Sequence, residues 1–120
     1  MDRGLAALLG DLDVRGLMDS TVVFLVGEFG RTPKINKSAG RDHWPYSMFA
    51  LLAGGKLPRG LVHGSTDAGG ERPKDRPVSP DDVAATFYAA LGIDPKKEYK
   101  TPTGRPVQIV HDGNPIPEIQ

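Results

Sequence analysis

The chain has no cysteine, which excludes a disulfide framework and any thiolate metal centre. It carries no net charge. Fifteen Lys and Arg balance fifteen Asp and Glu, so no global field selects nucleic acid or an anionic membrane. No apolar run approaches the length of a membrane span, and the first residues show no signal-peptide pattern. There is one tryptophan and no internal repeat. Gly-x-Ser-x-Gly, the phosphate-cradling P-loop and His-Glu-x-x-His are all missing, so no covalent nucleophile can be named. Glycine and proline, by contrast, are plentiful at 15 and 11 of 120 residues, which points to long, shaped loops. That length fits one domain, residues 1–120, with a core of its own.

Leu5, Leu8, Leu9 and Leu12 follow helical spacing behind Asp2 as a cap, and Gly16 is placed to end that helix. Thr21 to Val26 is a continuous β-branched and aromatic run, expected to be a strand covered on both faces. Residues 29–45 read as one long loop and Ser47 to Ala53 as a second strand. Gly60 to Gly64 reads as a third strand, and residues 65–78 as another loop. Ser79-Pro80-Asp81-Asp82 opens a helix with a capping hydroxyl, a first-turn proline and two acids. Val83, Phe87 and Leu91 give that helix one apolar face, and Gly92 stops it. The tail, 94–120, holds at most one strand, Val107 to Val110.

The chemistry-bearing residues gather after the first strand. In open α/β sheets, ligands sit in the crevice beyond the carboxyl ends of strands. Glu28 stands at that end, and His43 lies just before the next apolar run. As oxygen and nitrogen donors they suit a divalent ion such as Zn, Ca, Mg or Mn. The plainer alternative makes Glu28 a loop carboxylate paired with Arg31, and His43 a loop histidine bonded to backbone. Between them, Arg31, Lys34, Lys37 and Arg41 are uninterrupted by any acid. Such a segment offers a site for a phosphate or sulfate ester, held by Arg31, Arg41, Lys34 and Thr32. Its alternative is a solvated loop. Trp44 either covers a ligand or packs the loop onto the sheet.

Four motifs run through nearly all of the chain: Val-Gly-Glu-Phe-Gly-Arg-Thr-Pro-Lys-Ile-Asn (26–36), Gly-Arg-Asp-His-Trp-Pro (40–45), Leu-Ala-Gly-Gly (52–55) and Asp-Arg-Pro-Val-Ser-Pro-Asp-Asp (75–82). Together they resemble the bacterial family catalogued as domain of unknown function 1501, abundant in planctomycetes. The resemblance implies a longer protein, of which this chain is the carboxyl-terminal portion, exported to the periplasm through a twin-arginine signal. It also implies kinship with the alkaline-phosphatase and sulfatase-like superfamily. In that pattern Glu28 takes an Asp ligand's position, Phe29 replaces the adjacent His, and His43 matches a downstream ligand. Leu91-Gly92-Ile93 matches a helix end.

The expected fold is α/β: a partial three-layer sandwich of the alkaline-phosphatase type, with a mostly parallel sheet and flanking helices. The expected activity is that of a metal-dependent phosphate or sulfate ester hydrolase, inactive without its upstream half. Glu28 and His43 would hold the metal, and the basic loop an anionic ester or polysaccharide. A second reading is a noncatalytic exported binding or structural module. A third is a homo-oligomer formed through an unpaired sheet edge.

Overall fold

The computed structural model describes residues 2–119. Helix α1 spans Asp2–Val14, so the expected cap residue falls inside the helix itself. Leu5, Leu9 and Leu12 are half-buried along its inner stripe, while Leu8 is exposed. Gly16 terminates the helix at φ +67°, and the Leu17 N–H donates back to the Leu12 carbonyl at 2.9 Å. A single 3-10 turn, Met18–Ser20, then leads into strand β1, Val22–Val26.

Between β1 and β4 (Ala50–Gly54) lies a hairpin of two short strands, β2 (Gly30–Arg31) and β3 (His43–Trp44). Strands β5 (Ser65–Thr66) and β6 (Pro73–Asp75) form a second hairpin, and helix α2 follows at Pro80–Ala90. Strands β7 (Glu98–Lys100) and β8 (Pro106–Gln108) pair in the tail, which ends in a 3-10 turn at Pro117–Ile119.

The sheet architecture corrects the expectation of a mostly parallel three-layer sandwich. The strands form four separate two-stranded sheets, all antiparallel: β1 with β4, β2 with β3, β5 with β6 and β7 with β8. The connections explain this. A parallel pair needs a crossover, usually a helix, between its strands. Here the residues between β1 and β4 are spent on the β2–β3 hairpin, so the chain returns antiparallel, with Phe24 opposite Leu52. Two further strand expectations also change. Residues 60–64 form no strand, and the tail holds two strands rather than at most one, with Val107 of β8 opposite Tyr99 of β7. The long loops 29–45 and 65–78 each contain a hairpin.

Two glycines outside the β2–β3 hairpin are fixed by close approach. A Cβ at Gly54, which sits at φ +83°, would stand 2.0 Å from the Thr21 carbonyl oxygen. That contact closes the β1–β4 hairpin against its base, where the Gly55 N–H donates to the Met18 carbonyl at 2.7 Å. A Cβ at Gly113 would lie 2.0 Å from the Asp81 carbonyl oxygen, so the tail crosses directly over the start of α2.

Helix α2 begins as expected. Ser79 accepts from the Asp82 N–H and Asp82 accepts from the Ser79 N–H, a reciprocal capping box with proline in the first turn. Gly92, at φ +74°, ends it, and the Ile93 N–H folds back onto the Tyr88 carbonyl at 3.0 Å. The helix meets the β1–β4 hairpin through Phe87, whose ring stacks on Phe24 at 5.1 Å. Ala85, Thr86, Val110 and Ile116 form the buried centre where α2 meets the tail. Much of the apolar surface remains outside that centre.

Candidate functional site

The structure gathers the candidate residues in and beside the β2–β3 hairpin, and a separate groove lies beside β4. In the hairpin, Arg31 stands opposite His43 across the ladder and Gly30 opposite Trp44. Gly30 lets the chain after β3 lie directly against the hairpin: a Cβ there would fall 1.8 Å from the Ser47 carbonyl oxygen. Asn36 makes the tip, its side-chain oxygen accepting from the N–H groups of Ser38 and Gly40 at 3.0 Å each.

The polar side chains of this hairpin bond mostly to one another's backbone. Arg41 donates to the carbonyls of Thr32 and Pro33, which holds the two arms together. The Thr32 hydroxyl donates to the Lys34 carbonyl at 2.9 Å and accepts from the Asp42 N–H at 3.1 Å. Arg31 reaches the Arg41 carbonyl at 3.4 Å, and its guanidinium carbon lies 5.2 Å from the centre of the Phe29 ring. Lys34 stands 3.8 Å from Glu71. The anion-holding residues of the sequence reading thus come together as the frame of a hairpin.

His43 packs its ring against Phe29 at 3.8 Å between centroids, and Glu28 is exposed in the bend after β1. Among the described residues, no group of three or more His, Asp and Glu side chains is arranged to hold a metal ion. Two donors alone do not complete the three or four protein ligands that a tetrahedral site uses. Trp44 packs rather than caps: its indole N–H donates to the Glu71 carbonyl at 2.7 Å, and its ring meets Tyr46 edge-on at 5.0 Å. That bond ties the β2–β3 hairpin to the β5–β6 hairpin.

The larger concavity lies elsewhere. A groove of about 840 Å³ runs between the β1–β4 hairpin, the segment 57–64, the start of α2 and the end of the tail. Phe24, Leu52, Val83 and Ile116 line its floor, while Val26, Phe49 and Val62 stand at 47%, 62% and 80% exposure. One polar atom in it lacks a partner: His63 Nδ1 is buried without a hydrogen bond, 3.6 Å from Glu118 Oε2. Arg76, which lines the same groove, sits at φ +41° and also faces Glu118, at 3.5 Å. The sequence reading gave none of these groove residues a binding or catalytic role. The legible signal was the apolar run from Met48 to Ala53, with Leu61 and Val62.

The model of one family, described as "Protein of unknown function (DUF1501)", matches residues 1–120. The chain belongs to the DUF1501 family. No curated protein and no solved structure matches it. The family assignment thus holds, whereas nothing found supports the wider kinship with alkaline phosphatases and sulfatases. Separate antiparallel pairs replace the parallel sheet those enzymes need, and among the described residues no three-donor cluster stands at a strand end. The hydrolase and metal-binding expectations for this DUF1501 chain find no match in this fold or among the described residues.

Proposed function

We propose that this DUF1501 chain is a noncatalytic binding module whose groove receives an uncharged, apolar protein surface. The carrying observation is the total surface the chain leaves in water, with Val26, Phe49 and Val62 exposed within it. It exposes 8843 Å², where a compact chain of this length exposes ~6,300 Å². Its Cα radius of gyration is 17.0 Å, against ~14 Å for a compact domain of 120 residues. The difference in area, roughly 2,500 Å², exceeds the ~800 Å² per partner of a standard protein interface.

Chemistry supports the same reading. Aromatic and methionine side chains are enriched in interface centres and charged ones depleted. Tyr46, Met48 and Phe49 stand exposed together along this groove. The basic hairpin, with its guanidinium groups turned onto its own carbonyls, frames the neighbouring surface rather than offering a second pocket.

The test is binding of an anilinonaphthalene dye, which fluoresces on exposed apolar surface. Diluted until it is monomeric, the folded chain is expected to bind the dye, and Phe49→Lys to bind it less. A dilute, folded chain that leaves the dye dark has closed its groove, and the reading fails.

A further inference from the structure

We infer that His63 is a proton-operated latch: its charged imidazole fastens the terminal turn, through Glu118, to the segment 57–64. The latch concerns how one wall of the groove is held, and it stands whether or not the groove binds a partner.

Three stretches of chain meet here. His63 lies in the segment after β4, Asp75 and Arg76 lie between β6 and α2, and Glu118 belongs to the terminal 3-10 turn. Gly64, at φ +76°, lets the first two press together: a Cβ there would stand 3.1 Å from the Asp75 carbonyl oxygen and 3.2 Å from that of Arg76. Arg76 is held at φ +41°, a conformation that a non-glycine residue keeps only when its surroundings impose it. Its guanidinium meets Asp75 at 3.4 Å and Glu118 Oε1 at 3.5 Å. The second oxygen of the same Glu118 carboxylate lies 3.6 Å from His63 Nδ1.

That last contact is incomplete. The His63 side chain is only 12% exposed, and its Nδ1 is buried with no hydrogen-bond partner. A separation of 3.6 Å is beyond hydrogen-bond reach. A neutral imidazole carries one proton on its two nitrogens. With Nδ1 bare, a lone pair faces a carboxylate oxygen and neither atom can donate. With that proton on Nδ1 a bond can form, but the ring adds no charge to it. The imidazolium donates from both nitrogens, and bonds of this kind close to ~2.8 Å. A small shift of the turn therefore completes the latch.

The surrounding charges leave room for that proton. Among the described residues, the charged groups gathered at His63 are Glu118 from the terminal turn and Asp75 and Arg76 from the stretch before α2. The groove lining from β4, the segment 57–64 and the start of α2 adds no other charged side chain. Two carboxylates against one guanidinium leave the cluster one positive charge short, and His63 supplies it. Because Nδ1 is buried, solvent and salt screen its side of the pair less than they screen a surface pair.

The latch acts on the last residues of the tail. Ile116 is tied independently to the Thr86 hydroxyl, whereas the Ile119 N–H donates only within its own turn, to the Ile116 carbonyl at 3.0 Å. Both isoleucines line the groove, so fastening Glu118 firms the wall at Ile119.

Hydrogen exchange on the full chain tests this, with each rate divided by the unfolded-chain rate at the same pH. The window is pH 5.5 to pH 8, where imidazole changes charge and Asp82 stays ionised. Protection of the Ile119 N–H is expected to be about threefold greater at pH 5.5, the scale of a partly exposed ion pair, and to fall as pH rises. The Ile116 N–H is expected to keep its protection. Glu118→Gln, at a half-exposed residue whose change leaves the fold intact, is expected to abolish the threefold change, as is His63→Gln. His111→Gln removes the exposed imidazole paired with Asp112 at 2.9 Å and is expected to leave the change in place. A wild type whose Ile119 protection is flat across the window overturns the inference. So does a change that survives Glu118→Gln, one that His111→Gln abolishes, or an equal change at Ile116, which marks the whole fold rather than the latch. Dye binding tests the groove separately, so either conclusion can fail without the other.

Discussion

The carboxylate of Asp82 accepts the backbone N–H of Asn114 at 2.9 Å, joining the first turn of α2 to a strap thirty-two residues away. The same side chain accepts from the Ser79 N–H at 2.9 Å and the Ser79 hydroxyl at 2.7 Å. One residue therefore caps a helix and fastens the tail.

Those bonds make stability depend on pH in a definite direction. The Asn114 N–H first, then the Ser79 hydroxyl and N–H, hold Asp82 below the usual carboxylate value, with burial opposing them. A depressed folded value means the stabilisation is complete above the unfolded value of about 3.9 and is lost as pH falls through the folded one. Chemical denaturation between pH 6 and pH 2 is expected to show that loss. Asp82→Asn is expected to be less stable at pH 6 and flatter across the acid window. Equal slopes for the two proteins would remove Asp82 from this role.

Thr86, at 1% exposure, links the same two segments from inside. Its hydroxyl donates to the Asp82 carbonyl at 2.7 Å and accepts from the Ile116 N–H at 2.9 Å. Thr86→Val keeps the shape and strands a buried N–H, which costs about 1–3 kcal/mol. Thr86→Ser keeps the hydroxyl, and equilibrium unfolding is expected to place it closer to wild type than Thr86→Val.

Gly113→Ala tests the crossing of the tail over α2. With a Cβ meeting the Asp81 carbonyl oxygen, the strap must lift and its bonds to Asp82 and Thr86 must break. Hydrogen exchange at Ile116 is expected to accelerate at least tenfold while the amides of α1 keep their rates.

How far the sequence carried the account depends on the range of the interaction. The helix starts and stops were local: Ser79, Pro80 and Asp82 cap within one turn, and Gly16 and Gly92 adopt the left-handed conformation their positions require. Strand β1 was legible from its β-branched run, but its partner and direction were not. Those depend on the β2–β3 hairpin, against which Ser47 packs at Gly30, a contact between residues seventeen apart. Arg31, Thr32 and Arg41 could be picked out by charge and hydroxyl, yet their use as hairpin braces depends on carbonyls the sequence does not position. The groove was least legible, since it is assembled from five separate stretches of chain.

Arg41 separates bracing from anion capture. Arg41→Ala is expected to open the hairpin to protease cleavage between residues 33 and 41, whereas Lys37→Ala leaves it protected. Phosphate is expected to raise the melting temperature no more than chloride does at equal ionic strength. A phosphate-specific rise that Arg41→Ala abolishes would return this arginine to an anion site.

The central claim is that one copy of this chain does not bury its own apolar face. X-ray scattering from the folded chain, extrapolated to zero concentration, measures that most directly. The expected result is a radius of gyration matching the open arrangement, whose Cα atoms give 17.0 Å. A value matching a compact 120-residue domain, ~14 Å, would mean the groove closes on itself and would contradict the account.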